Sequence, residues 1–301
     1  MSTLSHTREI AWFLVEPTIA MGQSLAHLPG TILAALRKGD WATLSSPSRL
    51  RTAWYGRFWA VRGPQVRRGN SQNVVPLLQG RVPNGLFVPA DQKPGPPVGG
   101  VVMEVGAGSG MWVDAIAEAG GIARGAVAGG RDVEQGGGGT ITKIYGIEPN
   151  PASHAALRRK VREAGLEGIY EVAPVGIEEL GDPTKWNGRI DEGSIDCILS
   201  ILCLCSIPDP EKHIATLYKY LKKGGRWYVY EHVTNRRNWS ITLYQRFLNI
   251  FWPRIMGGCE LCRDTEKHLR GVGPWEKIDL AQVPTEPWYY MIPHISGILI
   301  K

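Results

Sequence analysis

Residues 101–110, VVMEVGAGSG, restrict this chain more than any other stretch. An apolar run carries an acid, Glu104, and glycines then recur at alternate positions, Gly106, Gly108 and Gly110. The pattern predicts a buried strand that runs into a tight turn and opens a helix. Glycine there permits positive φ and lets a ligand approach the backbone closely. The dinucleotide fingerprint G-x-G-x-x-G would need a glycine at 111, where the chain has Met111. Nicotinamide and flavin dinucleotides are therefore disfavoured.

A second acid sits where such a fold needs one. In ITKIYGIEPN, residues 141–147 read as a strand, Glu148 ends it, and Pro149-Asn150-Pro151 starts a helix. A carboxylate at the end of the second strand of an open α/β sheet holds ribose hydroxyls. The plainer reading of Glu148 is an acid at a helix N-terminus. Glu148 lies farther from the glycines than the roughly 20 residues usual for this unit. Residues 120–139, GGIARGAVAGGRDVEQGGGG, account for the excess, and their composition predicts a flexible insertion.

The same rhythm continues. Residues 168–173 read as a short strand, 194–202 as an apolar fourth strand, 208–223 as an amphipathic helix closed by Gly224-Gly225, and 226–233 as a fifth strand. Residues 275–283 and 291–300 read as two final strands. Strands alternating with helices at these lengths predict an α/β fold, a doubly wound sheet with right-handed crossovers.

The G-x-G-x-G turn after an acid resembles motif I of the class I S-adenosyl-L-methionine (SAM) methyltransferases. LCLCSIPD, GGRWYVYEHV, GGCELCR and PHISGILIK, in that order, resemble the methyltransferase-like thiol S-methyltransferases and related fungal small-molecule methyltransferases. The resemblance covers roughly residues 100–301 without the insertion. It implies a Rossmann-like, seven-stranded methyltransferase sheet with SAM as cofactor. It also implies a SAM site at Glu104, Gly106, Ala107, Gly108, Ser109, Gly110, Glu148, Pro149, Asn150, Gly176, Ile177 and Glu178, with Ser200, Ile201 and Leu202 at the end of the fourth strand. The animal proteins begin with a hydrophobic membrane anchor, and this chain begins differently.

Residues 1–82 are expected to form a cap of two or three short helices, and 83–99 a Pro/Gly-rich linker into the domain at 100–301. The cap carries ten Lys and Arg against three Asp and Glu, so it supplies the net charge of +6. Its arginines are scattered, which reads as a solvated basic face rather than a nucleic-acid patch. Residues 17–36 lack charge but contain Pro17, Gln23, Ser24, His27 and Pro29, which disfavours a spanning helix. The competing reading is a weak contact with a membrane surface. Five cysteines, at 197, 203, 205, 259 and 262, suit a reducing cytoplasm. The Cys259-x-x-Cys262 pair lacks a second ligand pair, so no metal is expected there.

A small-molecule acceptor is expected, bearing a thiol or a hydroxyl. His232 is the candidate base, at the end of the fifth strand on the edge of the sheet where ligands bind. The competing reading is a histidine bonded to a loop carbonyl, and a thiol acceptor would need no base. Trp54, Tyr55, Phe58 and Trp59 lie on an expected helix, and Trp239, Tyr244, Phe247, Phe251 and Trp252 form a second aromatic segment. Both read as core or as acceptor pocket. Trp54, Tyr55, Trp59, Trp239, Cys259 and His294 are the candidate substrate contacts. Base methylation of nucleic acid usually shows Asp or Asn before Pro-Pro-aromatic after the fourth strand. Ser200-Ile201-Leu202-Cys203 stands there instead, so no nucleic-acid partner is expected. A SAM-fold protein that catalyses a pericyclic or isomerisation step, or none, would keep the same motifs.

Overall fold

The computed structural model describes residues 3–92, 95–122 and 140–301. The expected insertion thus lies outside the described residues except for its first three. Seven strands form one sheet in the order β3-β2-β1-β4-β5-β7-β6. They are β1 (Gly100–Val105), β2 (Ile141–Ile147), β3 (Tyr170–Ala173), β4 (Ile195–Ile201), β5 (Leu221–His232), β6 (Lys277–Gln282) and β7 (His294–Ile300). The first five pair in parallel, and β7 runs antiparallel between β5 and β6. Buried on both faces, β4 reads IDCILSI, the near-continuous apolar run that a central parallel strand requires.

Helices α5 (Val113–Ala119), α6 (Pro151–Glu163) and α7 (Pro210–Tyr220) connect the parallel strands. In α6 the Asn150 side chain accepts from Ala152 N and Pro151 opens the first turn, while Lys160 and Arg162 close the last. Each device complements a helix end. One apolar layer packs Val102, Leu199 and Tyr228 against Val113, Ile116 and Leu157. The opposite layer gathers Met103, Ile198, Trp227, Ile214 and Leu217.

Two expectations need correction here. The helix predicted over 208–223 ends at Tyr220, and the strand already begins at Leu221, which pairs with Ile195. The Lys-Lys-Gly-Gly run that looked like a helix end lies inside β5, where the register shifts. Lys222 ties that entry to Asp196 at 2.8 Å.

The cap is also larger than two or three short helices. It comprises α1 (Thr3–Ala26), α2 (Leu28–Lys38), α3 (Trp41–Leu44) and α4 (Pro47–Leu78). Prolines remain inside the long ones, Pro17 in α1 and Pro64 and Pro76 in α4. Each forfeits a backbone bond, so tertiary contacts must hold the helices. Ala20 and Met21 pack with Phe58 and Trp252, and the Ser24 hydroxyl donates to Ile255 O at 2.8 Å. Residues 6–38, despite their prolines, are long and apolar enough by composition alone to cross a membrane. The C-terminal half adds α8 (Trp239–Leu248), α9 (Trp252–Ile255) and α10 (Thr265–Gly271).

Candidate functional site

A cavity of about 840 Å³ opens at the carboxyl ends of β1, β2 and β4. Open α/β sheets bind ligands at that edge. Its floor is the turn after β1. Gly106 has φ 67°, and a Cβ there would lie 2.7 Å from the Cβ of Cys203. Only glycine therefore lets the turn pass under the loop after β4. Ala107, Gly108 and Ser109 line the cavity, whereas Gly110 packs under α6, facing Leu157 and Lys160.

Glu148 caps β2 and lines the same space. One carboxylate oxygen accepts from Gly108 N at 2.7 Å and the other from Asn150 N at 2.8 Å. The His154 ring bonds its carbonyl at 2.7 Å. Burial pushes the carboxyl above its ordinary range, against the two amide donors. The acid thus locks the glycine turn to the start of α6 and presents negative charge to a ligand. Pro149 and Asn150 follow it along the wall, and Gly176, Ile177 and Glu178 form the wall beyond β3.

Other expected contacts stand elsewhere. Glu104 is buried and does not line the cavity: the Tyr170 hydroxyl donates to it at 2.6 Å. The Tyr170 ring passes over Gly146, where a Cβ would lie 2.2 Å from the hydroxyl. Burial pushes the Glu104 carboxyl up to about 7, despite the tyrosine bond. A raised acid favours the fold below its unfolded value, and that contribution is lost as pH rises through the folded value. Stability is therefore expected to fall between pH 4.5 and about 7, on the order of 3 kcal/mol. Denaturant unfolding against pH checks this: Glu104→Gln should flatten the slope, and an unchanged slope would remove the assignment.

Ser200 is also buried away from the cavity, its hydroxyl accepting from the Trp227 indole at 3.0 Å. Ile201 and Leu202 do line the cavity. Leu202 takes φ 55°, uncommon without glycine, as β4 turns into the site.

The aromatic segment of α4 divides by face. Trp54 and Phe58 are buried toward α1 and α2, and the Trp54 indole donates to Ser24 O. Tyr55 and Trp59 stack at 5.8 Å and line the cavity with Arg57. Trp54 is thus cap core rather than acceptor wall. Trp239 is 79% exposed on α8 and lies outside the cavity. His294 belongs to the sheet: it bonds Glu286 at 2.6 Å and stacks on Tyr230 at 4.7 Å.

His232 meets neither reading given to it. It is buried, does not line the cavity, and its Nε2 lies 3.0 Å from Cys259 Sγ. Cys259 also accepts from the Trp252 indole at 3.2 Å, and Cys205 joins the group. Burial opposes charge on His232, but the neighbouring Cys205 and Glu231 outweigh it and raise the imidazole above its ordinary value. The bond to Cys205 leads in holding the Cys259 thiol below its usual range, against burial. Glu231, wholly buried, accepts from the amides of Cys203 and Leu204, both at 3.1 Å.

Sequence reasoning passed over Cys203, Ser206 and His213, all on the cavity wall. Cys203 and Ser206 follow the fourth strand directly, and that position was the available signal. His213 is buried beside Ile214 on α7, and a lone histidine within a helix carries no sequence signal.

The chain matches the methyltransferase domain family over residues 86–271. Thiol S-methyltransferase TMT1B of Rattus norvegicus is 32% identical over 160 residues, 53% of this chain and 62% of that protein. Thiol S-methyltransferase TMT1A of Homo sapiens is 28% identical over 163 residues, again 53% and 62%. The chain therefore spans less than two thirds of the length of these curated relatives. An O-methyltransferase family protein from Burkholderia thailandensis superposes with a TM-score of 0.51 at 13% identity, covering 93% of this chain and 72% of that one, a likeness of fold. Because the family match spans more than half of the chain and its glycine turn, second acid and strand order are all in place, the chain belongs to the methyltransferase domain family.

Proposed function

We propose that the chain methylates a small, fairly apolar molecule at a thiol or hydroxyl, in secondary metabolism or detoxification. One observation carries this reading: a single cavity joins the glycine turn and Glu148 to a wall of Tyr55, Trp59, Ile201 and Cys203. Pockets of this kind, mostly apolar with a few placed polar groups, hold small ligands. The resemblance to thiol S-methyltransferases favours sulfur among the acceptors.

SAM supplies an electrophilic methyl group on a sulfonium. The protein's part is then to bind, orient and keep water out. Glu148 and the amides of the turn receive the cofactor, and Tyr55 and Trp59 cover the acceptor. Orientation of two reactants is worth up to about 7–11 kcal/mol of a barrier.

Labelled SAM offered with a panel of thiol, phenol, amine and carboxylate acceptors tests the reading. Transfer to apolar thiols or phenols is expected. Transfer confined to RNA, DNA or protein would overturn it. Binding of SAM without transfer to any acceptor would favour the non-methylating alternative, a pericyclic or isomerisation step or a purely binding role. Within the panel, Tyr55→Ala should raise KM for the best acceptor roughly tenfold or more, since burying an aromatic side chain is worth about 1.5–3 kcal/mol. An unchanged KM would take Tyr55 out of the acceptor wall.

The five thiols are all free, which fits a reducing compartment. Contact with a membrane surface is a second element of the proposal, and α8 favours it. Trp239, Leu243 and Phe247 recur every fourth residue and are all exposed. Trp12, Val15 and Ile19 on α1 are exposed as well. Large apolar faces of this kind mark interaction sites. Co-sedimentation with phospholipid vesicles is expected, and a Trp239→Ser, Phe247→Ser double variant should lose most of it. Equal sedimentation of both proteins would reject α8 as the contact.

A further inference from the structure

We propose that Cys205, His232 and Cys259 form a binding site for one thiophilic divalent cation of the zinc class. The three donor atoms lie within 4.8 Å of one another, and all three residues are buried. They come from three separate segments: the loop after β4, the end of β5, and the loop after α9. Two sulfurs and one imidazole nitrogen are a soft donor set, which zinc prefers over calcium or magnesium. In a tetrahedral zinc site, bond lengths of about 2.0–2.3 Å place neighbouring ligand atoms roughly 3.5–3.8 Å apart. The His232–Cys259 contact of 3.0 Å needs only a small outward movement to admit the ion.

The surroundings fit a cation better than an isolated cluster of thiols. Cys259 Sγ accepts from the Trp252 indole at 3.2 Å, the kind of outer hydrogen bond that orients a metal thiolate. Beside the triangle the wholly buried Glu231 leaves one carboxylate oxygen unpartnered among the described residues. A dication offsets that buried negative charge together with the thiolates. Next to the triangle, the Ser206 hydroxyl lies 3.5 Å from Cys205 Sγ, and Ser206 also lines the cavity. Three protein ligands leave the fourth position of a tetrahedral zinc ion to a further donor, and the Ser206 hydroxyl beside Cys205 is a nearby oxygen. Cys262, the nearest cysteine in sequence to Cys259, is not part of the group.

The test uses the full chain, reduced and stripped of metal, without any acceptor, so it is independent of what the enzyme methylates. Titration with Co²⁺ under anaerobic conditions should saturate at one ion per chain and produce an intense sulfur-to-cobalt charge-transfer band, which Zn²⁺ then displaces. Cys205→Ser and Cys259→Ser should each weaken the metal by more than the roughly 10–100-fold that a lost outer-shell partner costs. Cys262→Ser should bind as the unaltered chain does. X-ray absorption at the zinc edge of the loaded, unaltered protein needs no variant, and two sulfurs with one nitrogen are expected. Failure to bind a stoichiometric ion, a shell of oxygen and nitrogen alone, or a Cys205–Cys259 disulfide in its place would overturn the proposal.

Discussion

Glu148→Ala is expected to weaken SAM binding by about 10²–10⁴-fold. A hydrogen bond to a charged group contributes about 1.5–3 kcal/mol, and a carboxylate at the end of the second strand offers two oxygens to a ribose. Each factor of ten corresponds to about 1.4 kcal/mol, so two such bonds reach that range. The same side chain holds the amides of Gly108 and Asn150, and its loss frees the turn as well as the ligand. Glu148→Gln keeps one acceptor oxygen and should fall between alanine and the unaltered protein. Calorimetric titration with SAM decides the matter: an alanine variant that binds within about threefold of the parent would end the ribose assignment.

Gly106→Val should abolish measurable SAM binding and lower stability by roughly 2–6 kcal/mol, the sum of two costs. A β-branched residue at φ 67° meets backbone strain of about 1–3 kcal/mol. Its Cβ would also stand 2.7 Å from that of Cys203, and overpacking adds about 1–3 kcal/mol. To relieve the contact, either the turn or the loop after β4 must move, and both line the cavity. Denaturant unfolding measures the first effect and calorimetry the second. A variant with ordinary SAM affinity would show that the turn tolerates a side chain and is not the cofactor floor.

The parallel half of the sheet is legible in the sequence because its strands are short apolar runs, the first closed by a glycine turn and the second by an acid. Glu148 could be placed for the same reason: strand, acid, proline and asparagine occur together. The cap was less legible. Proline reads locally as a helix end, and only packing such as that of Ser24, Phe58 and Trp252 shows why α1 and α4 continue through it. Spacing puts Trp54, Tyr55, Phe58 and Trp59 on one helix, but spacing does not say which face meets a cavity. The same limit misplaced Trp239, since an exposed apolar face and a buried one share a periodicity. The Cys205, His232 and Cys259 cluster was invisible for a different reason. Its members are separated by whole elements, and the short C-x-x-C motif drew attention to Cys262 instead.

Helix α4 crosses the boundary between cap and sheet. Near its start Tyr55 and Trp59 face the cavity. Farther along, Arg67 reaches Asp114 on α5, at 2.9 Å through one pair of atoms. Asn70 and Asn73 both bond the Tyr230 hydroxyl, and Val74, Leu77 and Leu78 enter the same apolar layer as Val102, Cys197 and Tyr228. A cut at residue 82 would therefore strip side chains from the core itself, leaving Tyr228 and Tyr230 without cover. Cap and sheet should melt together, in one calorimetric transition whose van't Hoff and calorimetric enthalpies agree. The residues expected to enclose the acceptor then share their stability with those expected to hold the cofactor, so neither can loosen far while the other stays folded.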